Sequence, residues 1–135
     1  RNLNDRIAYV GRKVGEEKVA FFRQSDVFVF PTYYYNECFP LVILEAMEYK
    51  LPVISTNEGG IPDMVKDGEN GLICEKQNPV SLADCIAKLL DDEELRVKMG
   101  NAGYDKFCRE FTLQQFEHRM LDILSQNLPQ KEKEN

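Results

Sequence analysis

Histidine occurs once in the 135 residues, glycine eight times and proline six times, and there is neither an excess of positive charge nor a long apolar run. Each shortage removes a class. Sparse Gly and Pro beside 43% hydrophobic residues exclude collagen-like and low-complexity chains. Seventeen Lys and Arg against 23 Asp and Glu leave a formal charge of −6. That is the wrong sign for binding a phosphate backbone through counterion release, so no nucleic acid partner is expected. No apolar stretch approaches the ~20 residues that cross a bilayer, and the opening Arg1-Asn2-Leu3-Asn4 has no charged-then-apolar leader pattern. Cysteines at 38, 74, 85 and 108 lack any Cys-x-x-Cys spacing, which points to reduced thiols rather than a disulfide frame or a zinc site. The lone His118 has no Cys or His beside it in sequence and reads as helix surface or satisfied packing rather than a metal ligand. Walker-type glycine loops, Gly-x-Gly-x-x-Gly, Gly-x-Ser-x-Gly and His-Glu-x-x-His are all absent.

What is present alternates. Short β-branched runs are separated by stretches of helical period, the pattern of a parallel sheet flanked by helices. Four strands are expected, at Ile7 to Val10, Val27 to Phe30, Val53 to Ser55 and Leu72 to Cys74. The run Val27-Phe28-Val29-Phe30 is continuous enough to predict a strand buried on both faces. Helices are expected over Glu16 to Gln24, from Pro40 with Leu41, Leu44 and Met47 facing inward, from Pro79, over Asp92 to Arg109, and from Thr112 to Gln126. Ile61 to Lys66 reads as a single helical turn ahead of the Asp67 to Gly71 turn cluster. The length suits one domain and is short for a two-lobed enzyme, and a first residue other than Met points to a piece of a longer protein. The expected organisation is a domain over residues 1–128 and a polar, frayed tail over 129–135.

Ligands of such sheets sit at the carboxyl ends of the strands, so the loops after Val10, Phe30, Ser55 and Cys74 are where chemistry is expected. The loop after Phe30 carries the strongest signal because it runs through Glu37 into a helix N-terminus. Free main-chain N–H groups at such an end, with the helix dipole, suit a diphosphate. Pro40 cannot donate, which leaves Phe39, Leu41 and Val42. Glu45 falls about one and a half turns into the helix with its side chain leaning toward the N-terminus. Its carboxylate could accept two hydrogen bonds from a vicinal diol such as that of a ribose. Glu37 faces the other end, where its carboxylate could accept from sugar hydroxyls. On composition alone an amphipathic helix with a solvated Glu45, and a loop glutamate without a role, is the better account; the position of two glutamates about a helix N-terminus is what favours a nucleotide sugar. Gly59 and Gly60 would let backbone approach a ligand, or simply make a tight turn. Gly11 and Arg12 could offer main-chain groups to a base and a cation to a phosphate, or be a solvated loop. Tyr33, Tyr34 and Tyr35 could stack on a ligand or cover the loop.

These residues resemble the C-terminal domain of the family 4, or group 1, glycosyltransferases, retaining enzymes of the GT-B fold. The resemblance runs from about Ile7 to about Leu121. Its core is a glutamate, seven residues and a second glutamate, here Glu37 to Glu45, followed by Ala46-Met47. Around it stand Ser25 to Thr32, Leu51 to Ser55, Gly59-Gly60-Ile61-Pro62-Asp63-Met64-Val65, Asp67 to Leu72 and Met99-Gly100. The resemblance implies a partial Rossmann-like domain and assigns Glu37 to the donor sugar as the catalytic-site residue. It assigns Glu45 to the ribose and the main-chain amides of Phe39, Leu41 and Val42 to the diphosphate or sugar; Cys38, Gly11, Arg12, Gly59 and Gly60 complete the donor-binding set expected of this chain. It implies no metal and no cofactor beyond a nucleoside diphosphate sugar as donor substrate. The acceptor would be a hydroxyl of a saccharide or lipid-linked saccharide. The implied setting is cytoplasmic, or peripheral at the inner face of a membrane in the full-length protein. Cys38 stands where the family often has Gly, and Asp63 where Glu is usual. The family's diphosphate-clamping Arg and Lys, and its acceptor-binding N-terminal domain, would precede Arg1. Two other readings share the pocket: a nucleotide-sugar-binding module without catalysis, and a GT-B sugar-nucleotide epimerase.

Overall fold

In the computed structural model, which describes residues 5–127, helices and short strands alternate. They are α1 (Gly15–Gln24), β1 (Phe28–Phe30), α2 (Leu41–Glu48), β2 (Val53–Ser55), α3 (Ile61–Met64), β3 (Gly71–Ile73), α4 (Pro79–Asp91), α5 (Glu93–Glu110) and α6 (Leu113–Asn127). The fold class is the one read from the sequence: α/β, with a short parallel sheet flanked by helices and a helical C-terminus. The tail expected at 129–135 lies outside the described residues.

The sheet has the order β1-β2-β3 and is parallel throughout, with Phe28 opposite Val53 and Val53 opposite Gly71. Every residue of the central β2 is buried. Alternation along that strand sends successive side chains to opposite faces and divides the core in two. Val53 joins Ile43, Ala46 and Met47 of α2 and Ile61 and Met64 of α3. Ile54, on the other face, joins Leu72, Leu89 of α4 and Met99 of α5.

Three expectations need correction. Ile7 to Val10 is not a strand: Ile7 is 68% and Tyr9 97% exposed, and no ladder pairs this segment among the described residues. A β-rich composition becomes a strand only where a neighbouring edge takes its main-chain groups, so the described residues form three strands rather than four. Nor is β1 buried on both faces. It ends the row of described strands, Phe28 and Phe30 lean on the α2 side of the core, and Val29, on the opposite side of the pleat, is exposed. Leu41 does not face inward. The buried stripe of α2 is Ile43, Leu44, Ala46 and Met47, and a residue two places before Ile43 sits some 200° round the helix from it.

The helix boundaries follow their caps. Asn78 accepts from the N–H groups of Val80 and Ser81 ahead of Pro79, which opens α4. Thr112 accepts from Gln115 N–H at the start of α6. Arg96 closes the far end of α4 by donating to the carbonyls of Leu89 and Leu90. α5 packs at Gly100 against the turn that follows α2, where a Cβ would lie 2.0 Å from the Lys50 carbonyl oxygen, so no larger residue fits there. His118, as expected, lies on the surface of α6, 3.6 Å from Asp122.

Candidate functional site at the start of the second helix

The carboxyl ends of β1 and β2 are tied together by two hydroxyls. Ser55 Oγ donates to the Phe30 carbonyl at 2.7 Å and Thr56 Oγ1 to the Thr32 carbonyl at 2.5 Å. Both residues are buried. They fix the root of the loop that carries Glu37, and a bare hydrophobic pattern gives no reason to single them out. Further along, Tyr34 N–H donates to Thr32 Oγ1 at 3.2 Å and Glu37 N–H to the Tyr34 carbonyl at 2.9 Å, folding the tyrosines into a turn.

The loop then enters α2 through Pro40, whose φ of −71° and ψ of 102° are extended. Ile43 N–H donates back to the Pro40 carbonyl at 3.0 Å. Among the described residues no acceptor takes the N–H of Phe39, Leu41 or Val42. The sequence-derived donor set is therefore open at the end of an eight-residue helix, with the positive end of its dipole toward the loop. Beside this end is an apolar hollow of about 650 Å³ lined by Phe39, Leu41, Leu44, Phe111, Phe116 and Arg119, among others.

The two glutamates stand differently. Glu45 lies on α2, half-buried, with its Oε1 2.5 Å from Lys18 Nζ of α1. Lys18 was not among the residues expected at the site. Its signal was present, since it sits four places before Phe22, the buried residue of α1, and so shares that helix face. Glu37 is partly buried on the loop, and no hydrogen bond or ion pair engages its carboxylate among the described residues. Cys38 is an exposed free thiol whose Sγ approaches the Asn36 carbonyl at 3.6 Å.

The glycine loop after β2 packs against this segment. Gly59 has φ +51°, and a Cβ there would fall 1.7 Å from the Glu37 carbonyl oxygen. Gly60 N–H donates to the Cys38 carbonyl at 2.6 Å. The close approach at this pair is to the backbone of Glu37 and Cys38. Glu58, one place earlier, pairs with Lys76 at 2.7 Å and pins the loop to the segment after β3. Gly11 and Arg12 are not brought to this cluster by any hydrogen bond or ion pair among the described residues; they lie on an exposed stretch ahead of α1. Tyr33 parts from its neighbours and lines a separate cleft of about 470 Å³ with Pro31, Glu75, Asn78 and Leu82. Tyr34 and Tyr35 pack on each other, their ring centroids 5.6 Å apart.

Lys106 of α5 is the second missed residue. It is 7% exposed, its Nζ donates to the Asp63 carbonyl at the end of α3, and it lies 5.9 Å from the centroid of Phe111. Burial lowers its pKa from 10.5, with Lys66 and Arg109 acting in the same direction and Glu110 and Glu69 opposing. The clue in the sequence was register: Met99, Gly103 and Lys106 follow one face of α5.

Residues 1–106 match the family model described as glycosyl transferases group 1. A D-inositol 3-phosphate glycosyltransferase of Corynebacterium efficiens is 40% identical over 98 residues, 73% of this chain and 23% of that protein. Sucrose-phosphate synthase of Thermosynechococcus elongatus superposes with a TM-score of 0.83 at 31% identity, over 92% of this chain and 31% of that one. HepE of Anabaena, solved in complex with UDP and glucose, shares the fold with a TM-score of 0.83 at 21% identity, over 92% of this chain and 33% of its own. The chain thus spans about a quarter to a third of the length of these three proteins.

Proposed function

The chain belongs to the glycosyl transferases of group 1, and from that premise we propose that it supplies part of the donor site of a retaining glycosyltransferase that uses a nucleoside diphosphate sugar. The observation that carries this reading is the end of α2: open N–H groups of Phe39, Leu41 and Val42, with Glu45 along the helix and Glu37 on the entering loop. The diphosphate sits on the helix end, where main-chain dipoles stabilise the charge that grows on the leaving group. Glu45 accepts from the ribose hydroxyls through the oxygen that Lys18 leaves open, and Glu37 accepts from hydroxyls of the transferred sugar. Both carboxylates orient the donor, so their contribution is chiefly positional. UDP and glucose bound to a protein of the same fold support a donor of this class.

The acceptor in this reading is a saccharide or lipid-linked hydroxyl bound by another part of the protein, and the reaction takes place on the cytoplasmic side. Among the described residues no helix is long and apolar enough to cross a membrane. The helix end and basic side chains carry the leaving-group charge in place of a metal ion. The test is calorimetric titration of UDP, GDP and ADP into the full-length protein. Binding of one of them, weakened in Glu45→Ala, is the expected result; equal affinities in both forms would remove the ribose assignment.

A further inference from the structure

The buried lysine of α5 stands at the junction of two loops. Lys106 Nζ holds the Asp63 carbonyl. Asp63 N–H in turn donates to the Gly60 carbonyl at 3.1 Å, and Gly60 N–H to the Cys38 carbonyl at 2.6 Å. On its other side Lys106 lies over Phe111, whose ring is 5.9 Å from that of Phe39. Phe39 also touches Gly60, where a Cβ would be 3.1 Å from its ring. The contacts form a closed ring: Lys106, Asp63, Gly60, Cys38 and Phe39, Phe111, and Lys106 again. The backbone of Cys38 and Phe39, which leads into the end of α2, forms one side of it.

We infer that Lys106 is a positioning residue of the donor site, clamping α3 and the Gly59–Gly60 loop so that the main-chain donors of Phe39 and Leu41 are held ready for the diphosphate. This rests on the donor-site reading above. The physical case is that a cation is kept where a hydrophobic residue would pack at no desolvation cost. Taking an ammonium out of water is costly unless its hydrogen bonds serve a geometry that an apolar side chain cannot supply. The Asp63 carbonyl is near the end of the four-residue α3, where carbonyls lack helical partners, and Lys106 provides one. A donor that arrives at a pre-aligned set of N–H groups loses less ordering free energy than one that must align them.

The experiment uses the full-length protein as wild type, Lys106→Met, Lys106→Arg and Glu45→Ala, titrated with UDP, GDP and ADP, with amide hydrogen exchange followed at Gly60 and Ile54. Lys106→Met should weaken the nucleotide that wild type binds best by about tenfold, and Lys106→Arg should restore most of it. Exchange at Gly60 should quicken in Lys106→Met while Ile54, in the central strand, keeps its protection. If Lys106→Met fails to fold, Phe111→Leu opens the same ring from the Phe39 side and should give the same pattern. Wild-type affinity in the ring-opening variant beside a weakened Glu45→Ala overturns the inference and leaves the donor site standing. Failure of Lys106→Arg to recover binding overturns it too. No nucleotide bound by wild type, or no effect of Glu45→Ala, overturns the donor site and the inference with it.

Discussion

Lys18 and Glu45, 27 residues apart in sequence, meet at 2.5 Å and join α1 to the helix whose N-terminus forms the candidate site. The ion pair uses one carboxylate oxygen, Oε1, and both side chains are more than a third exposed. Glu45 is thus held in one orientation without being consumed as an acceptor. A pair this exposed contributes little to folding, because water already solvates both charges and salt screens them.

Lys18→Met should therefore change the stability of the folded protein by less than about 1 kcal/mol. Urea unfolding of the two forms measures this directly. A loss several times larger would show that α1 depends on the pair for its docking.

Glu45→Ala should weaken nucleoside diphosphate binding by ~1 to 3 kcal/mol, the range for charged hydrogen bonds lost from a binding site. Titration calorimetry of UDP, GDP and ADP supplies the number. Unchanged affinity would mean that the carboxylate serves only Lys18.

Two glycines separate conformational from contact penalties. Gly68 has φ +76° and open space around it, so Gly68→Ala should cost about 1 kcal/mol for the left-handed backbone alone. Gly59 has φ +51° and the Glu37 carbonyl in the way, so Gly59→Ala should cost about 2 to 4 kcal/mol. Chemical denaturation of both variants tests the order. Equal penalties would indicate that the two loops part easily.

The stability of the protein should carry a pH dependence from Lys106. Its folded pKa is lowered from 10.5 by burial, so between that lowered value and 10.5 the unfolded chain holds the proton more tightly. In that window the contribution of Lys106 to stability rises with pH; below it both states are protonated and the full cost of burying the charge applies. The stability difference between wild type and Lys106→Met should thus shift in favour of wild type as pH rises from the lowered pKa toward 10.5. A shift the other way would mean that attraction to Glu110 and Glu69 outweighs burial.

Much of the fold was legible before the structure. The strands at Phe28–Phe30, Val53–Ser55 and Gly71–Ile73 and the helices between them lie within a residue or two of where periodicity and proline placed them. The start of α2 was legible too, since Pro40 marks a helix entry and fixes which N–H groups remain free. Ile7 to Val10 was not. Its composition is that of a strand, and composition does not tell whether a partner edge is within reach.

Residue types and their order along the chain determined the α/β class, the helix end after Phe30 and the placing of Glu37 and Glu45 about it, because these follow from local dihedral preferences and side-chain period. Only the tertiary structure decided that Glu45 is already held by Lys18, that Gly59 and Gly60 press on Glu37 and Cys38, and that Lys106 holds the Asp63 carbonyl. Each joins residues 21 or more places apart, and such contacts depend on how α1, α3 and α5 pack about the sheet. Packing is set by the summed shape and burial of all the elements, which no single stretch of sequence contains.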